Sequence, residues 1–229
     1  MKKNLKRRDF MGRTVLAAFS VVTLGACSNR ELSPEEEAEA NSQGEPADSL
    51  PSEENNFSEE LALNRQMPRD LVMKMLDQKV DHYMQLSHHC AQSSFMVLKE
   101  QFGLKGEEVV KALTPMPGIA ERGETCGAVT GPLMAMGLIY GRDLKHLDNW
   151  EAYQESLIPT GNFFDQFQME FGTTSCHEVQ KVKFGKCYHL NNPEELQEFQ
   201  KAGSTDKCSE VVRKAVHLAA EIILEDNSL

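Results

Sequence analysis

The stretch Gly123-Glu124-Thr125-Cys126-Gly127-Ala128-Val129-Thr130-Gly131 limits what this chain can fold into more than any other. Thr125 is a good helix N-cap, because its hydroxyl can accept a backbone N–H that a helix start leaves unpaired. The cysteine would then fall in the first helical turn, where those N–H groups and the helix dipole favour a thiolate over a thiol. Gly127, Ala128 and Gly131 keep this helix face thin, so another backbone or a cofactor can come close to the sulfur. A buried cysteine in a tight helix–helix contact fits the same residues.

The rest of the chain after residue 60 reads as helices. Leu71, Val72, Met75, Leu76, Val80 and Tyr83 recur at helical spacing from Arg69 to Met84, with Pro68 before them. Ser87 is placed to cap a second helix carrying Ala91, Phe95, Leu98 and Phe102, which Gly103 stops. A short helix over Gly106 to Leu113 is broken by Pro115 and Pro117, and the Gly118 to Gly123 loop leads into the central motif. That motif's helix runs to Gly141 with a kink or restart at Pro132. Helices over Asn149–Leu157 and Asn162–Phe171 follow. Ser175 and Glu178 have capping-box spacing, and a last helix begins near Thr205-Asp206. The methionines Met73, Met75, Met84, Met134 and Met136 read as core filler. The fold class expected is all-α, a compact multi-helix bundle preceded by a signal peptide and a disordered acidic tether, with the helical cysteine-rich domain at residues 61–229.

In this reading Cys90, Cys126, Cys176 and Cys208 each lie in the first turn of a separate helix behind a Ser or Thr cap. If those helix starts converge, four depressed-pKa sulfurs share one electropositive pocket suited to redox exchange or to binding iron or zinc. His88 and His89 beside Cys90 are either ligands or solvated surface histidines. Cys187 sits in a loop or short extended segment and is the odd one out. Two disulfides stapling a helical bundle account for the same cysteines in an oxidising compartment. With no Cys-x-x-Cys and no Cys-x-x-Cys-His, neither a thioredoxin-type site nor covalent haem is expected.

Residues 1–26 read as an address. Lys2, Lys3 and Lys6 lead into Arg7-Arg8-Asp9-Phe10 and an apolar run from Val15 to Ala26 that is too short to span a membrane. The paired arginines resemble a twin-arginine signal, which exports proteins already folded. Leu24-Gly25-Ala26-Cys27 resembles a lipobox, so Cys27 is the expected lipidation site and the protein's link to a membrane; an ordinary signal peptide cleaved nearby is the alternative. Residues 27–60 form the acidic linker, poor in large apolar side chains and unable to bury enough surface to fold. Removing residues 1–26 takes away six basic residues and one acid, so the net charge moves from −11 to −16. Nucleic acid is therefore not an expected partner.

Cys90-Ala91-Gln92, the Gly123–Gly131 stretch, Gly137-Leu138-Ile139-Tyr140-Gly141, Cys176 and Cys208 together resemble the C_GCAxxG_C_C redox-active proteins, named for four cysteines and a CGAxxG motif. The resemblance covers roughly residues 70–225 and implies a mostly helical domain with a redox role for its cysteines. Split-Soret cytochromes resemble the same family in their non-haem part and carry a cysteine-bound iron–sulfur site, which implies a 2Fe-2S cluster on Cys90, Cys126, Cys176 and Cys208; zinc on the same four is the alternative that the cysteine count itself allows. Cys187 is then an alternative ligand or a resolving thiol. The function expected is electron transfer in an exported, membrane-anchored lipoprotein of the periplasm or cell surface, with a redox partner protein that the sequence does not name. A metal-free thiol–disulfide oxidoreductase and a surface lipoprotein with structural disulfides are the alternatives.

Overall fold

The computed structural model describes residues 56–229. The signal peptide with Arg7 and Arg8, the lipidation site Cys27 and nearly all of the acidic linker lie outside the described residues. Ten helices follow in order: α1 Phe57–Gln66, α2 Arg69–Ser87, α3 Cys90–Gln101, α4 Glu107–Ala112, α5 Gly118–Glu121, α6 Gly127–Tyr140, α7 Trp150–Phe171, α8 Cys176–Phe184, α9 Pro193–Lys201 and α10 Ser204–Glu225. A short 3-10 turn, Leu144–His146, precedes α7. The all-α expectation holds, since the described residues contain no strand beyond one isolated bridge between Thr125 and Ser175.

α10 is the central strut. One side of it, Val211, Val212, Ala215, Val216, Ala219, Ala220 and Ile223, is buried, and it packs against α1, α2, α3, α6, α7 and α9. Phe95 and Leu98 of α3, Leu76 and Met84 of α2, Met136 of α6 and Phe163 and Phe167 of α7 fill the space around it. Each fully buried side chain of this size stabilises the fold by roughly 1.5–3 kcal/mol. Met84 and Met136 are core filler as expected, whereas Met134 is exposed.

Three elements depart from the sequence reading. α1 begins inside the segment assigned to the linker, because Leu61 and Asn64 find partners there: Asn64 Nδ2 donates to the Gln101 carbonyl at 2.9 Å. The two helices expected around Pro159 are one 22-residue helix, α7, in which Ser156 and Thr160 hydroxyls bond carbonyls at 2.7 Å on either side of the proline. α9 has no counterpart among the expected helices, although Asn192 caps it, Pro193 starts it and Glu194 and Glu195 follow.

Candidate functional site

The one β-type contact of the domain sits at the site. Cys126 N donates to the Thr174 carbonyl at 2.8 Å, Cys176 N to the Glu124 carbonyl at 2.6 Å and His177 N to the Gly123 carbonyl at 3.1 Å. Ser175 Oγ adds a bond to the Gly123 carbonyl at 2.9 Å. These bonds pin the starts of α6 and α8 side by side, so Cys126 and Cys176 face each other. They also give two N–H groups of the α8 start the partners that a helix start otherwise lacks. Before the bridge, Ile119, Ala120 and Glu121 all have positive φ, a left-handed turn that costs roughly 1–2 kcal/mol per residue. Gly118, at the head of that turn, leaves room for Cys176: a Cβ there would stand 3.3 Å from the cysteine Cβ.

The thin face of α6 does what its sequence suggests, and its partner is α3. A Cβ on Gly127 would stand 2.3 Å from Cys90 Sγ and 2.8 Å from Ala91 N. On Gly131 it would meet the Ala91 carbonyl oxygen at 2.3 Å. The two helices can therefore touch only because these positions carry no side chain, and the contact brings Cys90 up to Cys126.

Cys90, Cys126, Cys176 and Cys208 all line one cavity of about 370 Å³. Cys126 is in hydrogen-bonding contact with both Cys176 and Cys90. Cys208 lies within electrostatic reach of the same two. Met84, Ala128, Val179 and Val211 supply apolar wall beside the sulfurs. All five cysteines of the described residues are free.

Residues 88–222 match the family described as "Putative redox-active protein (C_GCAxxG_C_C)", a span that holds the four cavity cysteines and the CGAxxG string. The chain belongs to this family. No curated protein and no solved structure matches it. The family span starts just before Cys90 and stops within α10, so it takes in every helix that contributes a cavity cysteine.

The helix starts are built differently from the sequence expectation, in ways that matter for the family's cysteines. Cys126 is itself the N-cap of α6, not a residue behind a Thr125 cap. Cys90 opens α3 behind His89, not Ser87, and His89 Nδ1 accepts from Gln92 N at 3.1 Å. Cys176 opens α8 behind Ser175, but no capping box forms: the serine hydroxyl goes to Gly123, and Glu178 pairs with Lys181 at 2.7 Å. Cys208 falls in the second turn of α10, because that helix starts at Ser204.

Nor are the four sulfurs alike in charge. Cys126 is 6 % exposed, and its hydrogen bonds to Cys176 and Cys90, with burial added, hold its thiol proton to well above the ordinary range. Burial, then the nearby Cys90 and Cys176, pushes Cys208 up too. Cys176 is lowered instead, by hydrogen bonding from Cys126 and then from Gln180 Nε2 at 3.4 Å, with burial opposing. The expectation of four depressed sulfurs is thus corrected at Cys126 and Cys208: crowding thiols in one dry cavity favours keeping the proton on these two while Cys176 is lowered.

Gln180 is a site residue that sequence reading missed, and its position four residues after Cys176 on one helix is the signal that could have found it. Its Oε1 accepts from Tyr188 N at 2.7 Å, which fixes the amide with Nε2 toward the sulfur. Gln180→Leu is expected to raise the pH at which Cys176 becomes alkylatable. Removing a donor to the thiolate raises the pKa, so the rate profile against pH shifts to the alkaline side. Iodoacetamide labelling across pH 6–10, read by peptide mass spectrometry, checks this, and an unmoved profile would remove Gln180 from the site.

The histidines next to Cys90 are engaged in the fold. His89 Nε2 lies 3.0 Å from the Thr114 carbonyl, and because Nδ1 accepts from Gln92, Nε2 must donate. His88 Nδ1 lies 2.9 Å from Thr205 Oγ1, tying the end of α2 to the start of α10. Cys187 is in the loop after α8 and is not among the residues lining the cavity. Among the described residues no three His, Cys, Asp or Glu side chains are grouped to hold one metal ion as they stand.

Proposed function

We propose that this protein transfers electrons through the four-cysteine cavity, with Cys90, Cys126, Cys176 and Cys208 as ligands of an iron–sulfur centre of the 2Fe-2S kind. Convergence is the observation that supports this most: free cysteines from α3, α8 and α10 and from the cap of α6 line one largely apolar cavity. Their chemistry fits the group, since thiolates are its usual ligands. Cys126 contacts Cys90 and Cys176, and Cys208 lies within electrostatic reach of the same two, so the sulfurs are spread along the cavity rather than gathered on one point. That spread suits a centre of two irons better than zinc, whose four ligands close on one ion.

When bound, such a centre takes up and gives back one electron. The chain's own part is to supply sulfurs and control their protons. Cys126 and Cys208, held as thiols by burial and hydrogen bonding, must release protons when they become ligands. Gln180 Nε2, donating to the Cys176 sulfur, stabilises added negative charge and tunes the potential upward. The starts of α3, α6 and α8 turn their positive dipole ends toward the sulfurs, with the same sense.

A metal-free thiol–disulfide oxidoreductase is the second reading, favoured by the lowered Cys176 beside the protonated Cys126. There the Cys176 thiolate attacks a substrate disulfide and expels one thiolate. Cys126 then attacks the mixed disulfide and its proton goes to the departing sulfur, leaving Cys126 and Cys176 joined and the substrate reduced. Export by the twin-arginine route and anchoring through Cys27 complete the proposal; they rest on Arg7, Arg8 and the lipobox-like run. The membrane is then a standing neighbour and a redox protein the partner.

Purification without oxygen, with a visible spectrum and assays of iron, zinc and thiols, tests the proposal. Charge-transfer bands with about two irons per chain are expected. A colourless, metal-free protein would overturn the cluster, and reactive thiols in it would support the exchange reading.

A further inference from the structure

The cavity is larger than its sulfur end. Beyond the residues beside the sulfurs its wall is made by Phe184 of α8, Leu190 in the following loop, and Leu196 and Phe199 of α9. Phe184 and Phe199 hold their rings 5.0 Å apart, and Tyr188 completes the cluster at 5.8 and 5.3 Å, so this wall is fixed by its own aromatic contacts. Its one lysine is occupied: Lys183 Nζ pairs with Glu210 at 2.9 Å and lies over the Phe171 ring. His88 and His89, which also border the cavity, are bonded to Thr205 and Thr114. Among the lining residues no cation is uncommitted, and the Glu121 carboxylate, which also borders the cavity, opposes a phosphate; Lys207, outside the lining, is laid over the Phe184 ring at 4.6 Å. What the lining does offer is the exposed Gln200, whose carboxamide has no side-chain partner among the described residues.

A ligand for this lobe is neutral, flat enough to lie between aliphatic and aromatic side chains, and able to accept a hydrogen bond at one edge. Phosphate-bearing carriers such as nicotinamide or flavin nucleotides do not fit that description. Beside a redox site, the class that does is the quinones, whose carbonyl oxygens accept from an amide N–H. We propose that the α8–α9 lobe of the cavity is a quinone-binding site, with Phe184, Leu196 and Phe199 against the ring and Gln200 at a carbonyl. The identity of the ligand class rests on reading the cysteines as a redox centre; the pocket itself does not.

The test uses 2,3-dimethyl-1,4-naphthoquinone, whose substituted ring positions block thiol addition, titrated into the anaerobically purified full chain and followed by equilibrium dialysis. Saturable binding of one quinone per chain is expected, with no displacement by flavin mononucleotide. Leu196→Glu, which puts a carboxylate into the wall, should weaken binding by about tenfold or more. Gln200→Leu, at an exposed position that cannot threaten the fold, should weaken it about fivefold. Both variants should keep the iron and thiol content of the parent protein. Lack of saturable binding, or equal binding by parent and both variants, overturns the proposal. Quinone binding by a protein with no iron and inert thiols would leave the pocket standing and sink the redox reading. Full iron with no quinone bound would sink this inference alone.

Discussion

Gly131→Ala is expected to destabilise the domain by about 3 kcal/mol or more, while Gly137→Ala on the same helix stabilises it by up to about 1 kcal/mol. The opposite signs come from what each new methyl meets. At Gly131 it would lie 2.0 Å from Ser94 Oγ and 2.3 Å from the Ala91 carbonyl oxygen. The hydroxyl can rotate away. The carbonyl is part of the α3 backbone, so α3 and α6 must separate. At Gly137 nothing lies within 4 Å, and alanine simply replaces a residue whose unfolded chain has more freedom to lose. Urea unfolding of the two variants in parallel reads both effects. Equal stabilities would mean that α3 and α6 are not in the contact described. Because the same contact carries Cys90 to Cys126, Gly131→Ala should also lower whatever redox activity the parent shows.

Cys126→Ser is expected to abolish the site while changing a single atom. Cys126 is the sulfur that touches two others, so its loss breaks the set of sulfurs at its most connected point. If the cavity holds iron, the variant loses bound iron and colour; if it works as a dithiol, turnover stops because the resolving sulfur is gone. The stability cost is smaller, about 1–2 kcal/mol for a hydroxyl in a place 6 % exposed. Cys187→Ser is the control, and it should leave iron, colour and turnover unchanged, since Cys187 does not line the cavity. Iron assay, visible spectrum and thiol turnover on both variants settle the contrast. Full activity in Cys126→Ser would remove the four cysteines as the functional site.

Helix identity and the set of four cysteines could be read from the chain because both depend on short-range patterns. The 3.6-residue spacing of Val72, Leu76, Val80 and Met84, or of Val211, Ala215, Ala219 and Ile223, reports one buried face. The thin face of α6 could be read from Gly127, Ala128 and Gly131, but that its partner is the start of α3 could not. Ser175 is misjudged as a cap because a distant partner outbids the local one, Gly123 drawing its hydroxyl away from its own helix, whereas at α3 one local cap replaces another, His89 for Ser87. The bridge between residues 125 and 175 has no local signature, because its strands are single residues. Protonation states were misjudged for a similar reason. A helix dipole acts on each sulfur separately, but burial and the other sulfurs act on all of them together.

The bridge between residues 125 and 175 also sets an order of events during synthesis. A growing chain releases Cys90 and Cys126 while the segments that will confront them are still untranslated. Their glycine-mediated contact can form early, since α3 and α6 are separated only by α4, α5 and their loops. The other half of the pocket waits for Thr174–Cys176 to reach Glu124, and then for α10, which is the last helix to appear and the one against which most of the others pack. A nascent chain that has not yet made α10 therefore holds a pair of exposed thiols and no pocket, and whatever loads or oxidises the finished site acts after α10 has joined it.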